Sequence, residues 1–232
     1  PLAIVCGNCF VLKPSERDPS STLYIAELLY EAGLPKGVLS VVNGNKETVL
    51  SILNNERIQA VSFVGSTPVA EYIYTTATAN GKRCQALGGA KNHAVILPDA
   101  DIDNAVSQLI GAAFGSSGER CMALSVAVVV GDEVGDKLIH KTQQAMKNLK
   151  VGEYIESSND FGPLITKEHQ NKVTSYIDSA ESQGATIVED GRNIVIKGCE
   201  GGFFVGGTLI DNVTSDMLSY KEEIFGPVLQ VV

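Results

Sequence analysis

Strand-like and helix-like segments alternate along most of this chain, and that alternation limits the folds open to it. The apolar run Ala60 to Val64, for example, leads through Gly65-Ser66-Thr67 into a helical pattern that starts near Val69. Segments in this order pair as parallel strands joined by right-handed helical crossovers. The pattern therefore predicts an α/β fold with parallel sheets.

Apolar periodicity places the other elements. Predicted strands cover residues 9–12, 38–42, 60–64, 83–86, 94–97, 126–130, 186–188 and 203–209. Predicted helices start near residues 20, 47, 69, 101, 132 and 167. The apolar runs Pro1 to Val5 and Pro227 to Val232 also have a strand-like composition. The run Asp99 to Asp103 resembles the start of a calcium loop, but Asn104 stands at the sixth position, where that loop needs glycine. It is predicted to be a helix N-terminus, with the helix starting at Asp101. The glycine pair Gly88-Gly89 is a plausible hinge between two domains.

Composition argues against several classes of partner. Lys and Arg number 18 against 27 Asp and Glu, a net charge of −9, so neither nucleic acid nor an anionic membrane is expected to bind. The most apolar stretch, Ala123 to Val130, is far shorter than the roughly 20 residues that span a bilayer. The three histidines lie too far apart for a local zinc motif, so no metal is expected.

The cysteine count bears on the cellular compartment, and the chain ends bear on whether the sequence is part of a longer polypeptide. Five cysteines are an odd, thinly spread set, which favours free thiols in a reducing compartment. We therefore expect a cytoplasmic protein, or a mitochondrial matrix protein in a eukaryote. The chain begins without Met and both ends are apolar, which suggests a segment of a longer polypeptide.

Five short motifs stand in collinear order along the chain. They are Lys13-Pro14-Ser15-Glu16, Phe63-Val64-Gly65-Ser66-Thr67, Ala86-Leu87-Gly88-Gly89, Gly118-Glu119-Arg120-Cys121-Met122-Ala123 and Glu222-Glu223-Ile224-Phe225-Gly226-Pro227. In this order and spacing they resemble the aldehyde dehydrogenase superfamily over essentially the whole chain. The segments Gln85 to His93 and Gly118 to Ala123 are similar to the CoA-acylating methylmalonate-semialdehyde dehydrogenases. The resemblance implies a parallel-sheet NAD-binding domain, residues 1–87, and an α/β catalytic domain, residues 88–232, both incomplete.

The resemblance makes Cys121 the nucleophile. It follows a predicted helix, a glycine-flanked turn and a charged pair, in a segment whose backbone can approach a ligand closely. Its thiolate would attack the aldehyde, and loss of hydride to NAD would leave an enzyme thioester. A buried packing cysteine is the alternative.

The resemblance also assigns the cofactor-binding residues. Lys13 and Glu16 match the pair that holds the adenosine ribose, where a carboxylate favours NAD over NADP. Gly65 and Ser66 match the turn that meets the pyrophosphate at a helix N-terminus. Further matches are Arg17 along the adenosine side, Leu87 and Gly88 beside the carboxamide, Glu223 on the nicotinamide ribose and Phe225 beside the nicotinamide ring. A solvated surface side chain is the other reading of Arg17.

Two residues bear on the acyl acceptor and the substrate. Ala86 stands where most hydrolytic aldehyde dehydrogenases have Glu, and alanine cannot activate water. Coenzyme A, whose thiol is partly ionised at neutral pH, is therefore the expected acceptor. Arg120 is a candidate fork for a substrate carboxylate, or else the partner of a neighbouring carboxylate in a salt bridge.

Within that subfamily the expected substrate is methylmalonate or malonate semialdehyde, converted to propionyl-CoA or acetyl-CoA with loss of CO₂. The expected setting is valine or inositol breakdown, in a homo-oligomer, a dimer or tetramer. The alternatives are a hydrolytic, CoA-independent aldehyde dehydrogenase and a non-catalytic nucleotide-binding piece. The superfamily's oxyanion asparagine would precede Pro1 and its oligomerising strand would follow Val232, so the 232-residue chain alone is expected to turn over poorly.

Overall fold

The computed structural model describes residues 1–232, the whole chain, as two compact units. The first unit is Pro1–Gly88 and the second is Gly89–Val232. The division falls one residue beyond the sequence-predicted boundary at residue 87, at the first of the two glycines.

The first unit alternates helices and strands in two small parallel sheets. Its elements in chain order are α1 (Leu2–Val5), β1 (Phe10–Leu12), α2 (Ser20–Glu31), β2 (Leu39–Val41), α3 (Lys46–Asn54), β3 (Ala60–Val64), α4 (Thr67–Ala79) and β4 (Arg83–Leu87). Strand β1 pairs with β2, and β3 pairs with β4. Each pair is parallel with a helix in the connection, as the alternation predicts.

The core of the first unit is small. Leu53 of α3 packs with Ile73 and Ala77 of α4, and all three are buried. Val61 and Phe63 of β3 and Cys84 of β4 pack against this cluster. One face of the β3–β4 sheet is therefore covered by helices α3 and α4.

The second unit is built around a five-stranded sheet. Its elements are β5 (Asn92–Ile96), α5 (Ile102–Phe114), a tight turn (Gly115–Gly118), β6 (Leu124–Val129), α6 (Asp132–Met146), α7 (Lys167–Ser182), β7 (Thr186–Glu189), β8 (Thr208–Asp211), α8 (Leu218–Lys221) and β9 (Val228–Val231). The strand order is β5-β6-β9-β8-β7. All neighbouring pairs are parallel except β7 with β8.

Two apolar clusters flank this sheet. One joins α5 and α6 to β6, β8 and β9, with Phe114, Leu109 and Leu138 almost fully buried. The other packs α7, through Val173 and Ile177, against β8 and the start of β9. Helices on both faces of a mostly parallel sheet confirm the predicted α/β class.

The structure agrees with most of the predicted elements and corrects a few. The predicted helix N-terminus is confirmed, because Asp101 caps α5 and accepts hydrogen bonds from the backbone N–H groups of Asp103 and Asn104. The strand-like run at the start of the chain is instead the short helix α1, and the strand predicted at residues 203–209 is limited to β8. Helix α8 was not predicted. None of the helices is both long and apolar enough to cross a membrane.

Candidate active site

The loop that carries Cys121 has an unusual backbone. Ser116 and Ser117 have φ values of 53° and 57°, and Gly118 has 68°. Residues other than glycine adopt these left-handed angles at a cost of about 1 to 3 kcal/mol each, so the surroundings must hold them there. The Ser117 hydroxyl donates to the Gly162 carbonyl at 2.7 Å. The loop brings Cys121 to the surface as an exposed free thiol.

Asn92, the first residue of β5, ties this loop to the sheet. Its side-chain amide donates to the carbonyl oxygens of Cys121, at 2.8 Å, and Ala123, at 2.9 Å. The strand pairing is irregular at this point, with a register shift between Asn92 and His93 where β5 meets β6. The amide therefore adds two side-chain hydrogen bonds where the strand pairing is irregular, beside the candidate nucleophile.

Arg120 binds the end of a helix in this structure. Its Nη2 donates to the carbonyl oxygens of Gly111, at 2.7 Å, and Ala112, at 3.0 Å, in the last turn of α5. The Gly111 carbonyl also accepts the backbone N–H of the C-cap residue Gly115, so Arg120 is a second donor to it. A cation at this end of α5 complements the helix dipole. The predicted salt bridge with a neighbouring carboxylate is wrong, because the guanidinium meets carbonyl groups instead.

Glu223 and Phe225 line one cleft with Cys121 and Arg120. Asn92 and Gly226 also line it, and all of these residues belong to the second unit. The Glu223 carboxylate accepts a hydrogen bond from the Ala90 backbone at 3.0 Å. Phe225 has a left-handed φ of 58°. The sequence-predicted nucleophile and two of the predicted cofactor-binding residues are thus brought together.

Lys91 holds the segment that precedes Glu223. Its Nζ donates to the carbonyl oxygens of Ser219, at 2.5 Å, and Glu222, at 2.8 Å. Burial lowers the pKa of Lys91 to about 8, against the opposite effect of the carboxylates of Glu223 and Glu222. These contacts fix α8 and the start of the loop that follows it, which carries the motif Glu222 to Pro227.

A carboxyl group and an imidazole meet behind the cleft. His169, in the first turn of α7, has its Nε2 2.6 Å from the Phe225 carbonyl oxygen and 3.4 Å from Oε1 of Glu119. Burial raises the pKa of Glu119 to about 7, although a hydrogen bond from the Ile165 backbone acts in the opposite direction. Burial therefore favours the neutral form of the Glu119 carboxyl group.

In the first unit, the predicted pyrophosphate turn lies where β3 and β4 end. The Gly65 N–H donates to the Leu87 carbonyl at 3.0 Å, so this turn lies beside the end of β4. Ser66 is the N-cap of the 13-residue helix α4, and its hydroxyl makes no capping hydrogen bond. A Cβ at Gly88 would lie 2.9 Å from the Thr67 hydroxyl oxygen, so this close approach requires glycine. The carboxyl ends of parallel strands with a helix N-terminus form a site suited to an anion.

Lys13 and Glu16 follow β1, in the other sheet of the first unit. Lys13 Nζ lies 3.4 Å from Glu16 Oε2 and donates to the Gly44 carbonyl at 2.8 Å. The pKa of the Glu16 carboxyl is lowered, first by a backbone hydrogen bond and then by Lys13. Glu16 is therefore an exposed carboxylate anion that can accept hydroxyl donors, and the Arg17 side chain beside it is exposed as well.

Ala86, which stands at the position of the missing general base, lies on the covered face of β4. Ala86 pairs with Phe63, and side chains paired in this way lie on the same face of a sheet. That face is covered by α3 and α4, so a carboxylate at Ala86 would enter the small core. Leu87, the next residue, lies on the opposite face and is 50% exposed. Leu87 is therefore the position from which a base could reach solvent, and leucine, like alanine, cannot take a proton.

Sequence reasoning assigned no role to four residues that shape the site. Lys91, Asn92 and Glu119 lie inside quoted segments, and His169 lies outside them. A polar side chain at the first residue of a strand was the available signal for Asn92. No sequence signal pairs Glu119 with His169, because they come from segments far apart in the chain.

Comparisons with known proteins assign the chain to a family. The model of the aldehyde dehydrogenase family matches residues 1–232. Malonate-semialdehyde dehydrogenase of Pseudomonas aeruginosa is 64% identical over 232 residues, 100% of this chain and 47% of that protein. The enzyme of the same name from Halalkalibacterium halodurans is 52% identical, with the same two coverages. The chain spans about half the length of the curated relatives it matches.

Two solved structures are similar in both sequence and fold. Methylmalonate-semialdehyde dehydrogenase from Oceanimonas doudoroffii is 73% identical with a TM-score of 0.97, covering 100% of this chain and 48% of that one. A protein described as a methylmalonate-semialdehyde dehydrogenase from Sinorhizobium meliloti, in complex with NAD, is 57% identical with a TM-score of 0.96, covering 99% and 47%. With the family model matching every residue, the chain belongs to the aldehyde dehydrogenase family.

Proposed function

We propose that the protein oxidises malonate or methylmalonate semialdehyde with NAD and transfers the acyl group to coenzyme A. The observation that carries this proposal is the shared cleft of Cys121, Glu223 and Phe225. The names of the relatives supply the substrate class. Ala86, which stands where hydrolytic members of the family have glutamate and which cannot take a proton, argues against water as the acceptor.

The residues present fit NAD. The exposed Glu16 carboxylate, next to Lys13, suits the two hydroxyls of a ribose. The N-terminus of α4, with the uncommitted Ser66 hydroxyl, suits a pyrophosphate. Glu223 can exchange its hydrogen bond with the Ala90 backbone for ribose hydroxyls. When bound, NAD supplies the hydride acceptor.

Cys121 carries the covalent step. Its thiolate adds to the aldehyde carbon, forming a C–S bond, and loss of hydride from that carbon leaves a thioester. The thioester formed from malonate semialdehyde is a malonyl half-thioester, and its free carboxylate, which is β to the thioester carbonyl, can leave as CO₂. The thioester carbonyl accepts the electron pair, and solvent protonates the carbon. The CoA thiolate then attacks the thioester, and the Cys121 thiolate leaves.

Substrate recognition would need a cation, and Arg120 is the candidate. Its Nη2 is bound to the carbonyls of α5, so a carboxylate would meet the remaining N–H groups of the guanidinium. An arginine held at one end is already oriented, which lowers the entropy cost of binding. The oligomeric state, the pathway and the compartment stay predictions from the sequence.

The test measures NADH formation by the natural full-length protein, supplied with malonate semialdehyde and NAD. With CoA we expect continuous NADH formation, and without CoA about one NADH per Cys121 before the rate falls. Cys121→Ser should abolish both phases, whereas Cys9→Ser, a matched change at another exposed cysteine, should leave them unchanged. Equal steady-state rates with and without CoA would identify a hydrolytic enzyme instead. No NADH at all would indicate a protein that only binds nucleotides.

A further inference from the structure

The His169 imidazole lies between the two loops that line the cleft. Its Nε2 is 2.6 Å from the carbonyl oxygen of Phe225. A carbonyl can only accept a hydrogen bond, so Nε2 carries a proton and donates it. Glu119, two residues before Cys121, places Oε1 3.4 Å from the same nitrogen. The side chains of His169 and Glu119 are only 20% and 12% exposed.

Both loops are strained where they meet. Phe225 is left-handed with a φ of 58°, and so are Ser116 and Ser117 on the nucleophile loop. The loops touch at Gly118, where a Cβ would collide with the Gly226 carbonyl. Strained backbone persists only where neighbouring contacts fix it. The strained residue Phe225 is held through its own carbonyl group, which accepts the hydrogen bond from the His169 side chain.

We propose that His169 is a positioning residue that fixes the Phe225 loop against the Cys121 loop, with Glu119 holding its imidazole in place. The inference rests on the proposed function, in which Phe225 lies on the nicotinamide side and Cys121 carries the reacting carbon. Hydride transfer depends steeply on the distance between donor and acceptor, and a displacement of about 1 Å can cost about 100-fold in rate. A side chain that bonds one loop and contacts the other controls that distance without touching the substrate.

Matched variants separate this role from general stability. His169→Leu removes the N–H that binds the Phe225 carbonyl, whereas His169→Gln keeps an N–H at a similar reach. The glutamine variant should therefore keep the hydrogen bond and the activity that the leucine variant loses. Glu119→Leu should resemble His169→Leu, and Glu119→Gln should retain the acceptor and the wild-type behaviour. His140→Leu is the control, because His140 is an exposed imidazole on α6 whose partner is Gln144.

The kinetic measurement is kcat with ordinary aldehyde and with aldehyde deuterated at the reacting carbon. We expect His169→Leu to lower kcat by about 100-fold. Its deuterium isotope effect should rise, because hydride transfer becomes slower than the other steps. His169→Gln should recover most of kcat and the wild-type isotope effect. The rate at which iodoacetamide alkylates Cys121 should stay within about twofold of wild type, since the thiol itself is untouched.

A second measurement does not depend on turnover. Amide hydrogen exchange at residues 225, 226 and 228 and in residues 118–121 should be at least about tenfold faster in His169→Leu, and unchanged in His169→Gln and His140→Leu. Unchanged exchange in His169→Leu, or a glutamine variant no better than the leucine variant, would overturn the positioning role. Wild-type protein that forms no NADH from the semialdehyde would instead overturn the proposed function, and the exchange result would still decide the role of His169.

Discussion

At the scale of single residues, Ala86 and Leu87 differ in the face of β4 to which they belong. Leu87→Glu places a carboxylate on the open face, so we expect more NADH formation without CoA than in the wild type. Ala86→Glu places it beside Phe63 under α4, and we expect a loss of about 1 to 3 kcal/mol in unfolding free energy with no gain in hydrolysis. The measurements are CoA-independent steady-state rates and denaturant unfolding curves.

Leu87→Gln is the matched control for this pair of variants, since it has the same size as glutamate but no basic oxygen. An increase in hydrolysis with glutamine equal to that with glutamate would show that the carboxylate is not acting as a base. An increase with Ala86→Glu alone would confirm the sequence-based placement of the missing base at Ala86.

Motif spacing predicted Cys121, Glu223 and Phe225, and the structure brings these three side chains to one cleft. The motifs did not show which face of β4 carries Ala86, because adjacent residues in a strand lie on opposite faces and a motif gives order rather than facing. Arg120 shows a second limit. Its sequence neighbour is a carboxylate, but its guanidinium binds a carbonyl group in the last turn of α5. That contact depends on where α5 ends, which the sequence around Arg120 does not show.

At the scale of elements, the start of β5 determines the shape of the nucleophile loop. Asn92→Asp preserves size and removes both N–H donors, leaving the carbonyls of Cys121 and Ala123 facing a carboxylate. We expect a loss of about 1 to 3 kcal/mol in unfolding free energy and faster amide exchange in residues 121–124. Denaturant titration and hydrogen exchange provide the check. Wild-type stability in Asn92→Asp would mean that the loop is held by other contacts.

Helices were the elements that the sequence predicted best. Helices α5, α6 and α7 each carry a long apolar stripe, and Asp101 supplies α5 with a recognisable cap. Short elements were predicted less well. Four apolar residues form the helix α1 where a strand was expected, because a run that short has no periodicity to separate the two. Helix α8, also of four residues, depends on tertiary contacts from Lys91 rather than on its own sequence.

At the scale of the whole molecule, the two units differ in the size of their cores. The buried cluster of the first unit contains three residues, whereas those of the second contain thirteen and eleven. We expect amides of β3 and β4 to exchange at least about tenfold faster than those of β6 and β9 in this 232-residue chain, because local opening costs less where less apolar surface is buried. Mass spectrometry of peptide fragments measures both sets together. Equal protection in both sets would contradict the expectation.

The strand order of the larger sheet has a consequence for synthesis on the ribosome. Strand β9 follows the other four strands of this sheet in the chain, yet it lies in the middle of the sheet, between β6 and β8. Its four residues are all buried. Until residue 231 has left the exit tunnel, β6 and β8 have unpaired edges and their apolar faces lack a central neighbour. The sheet of this unit therefore cannot be completed before that point. The nascent chain exposes unpaired strand edges during that interval, and these are binding sites for chaperones.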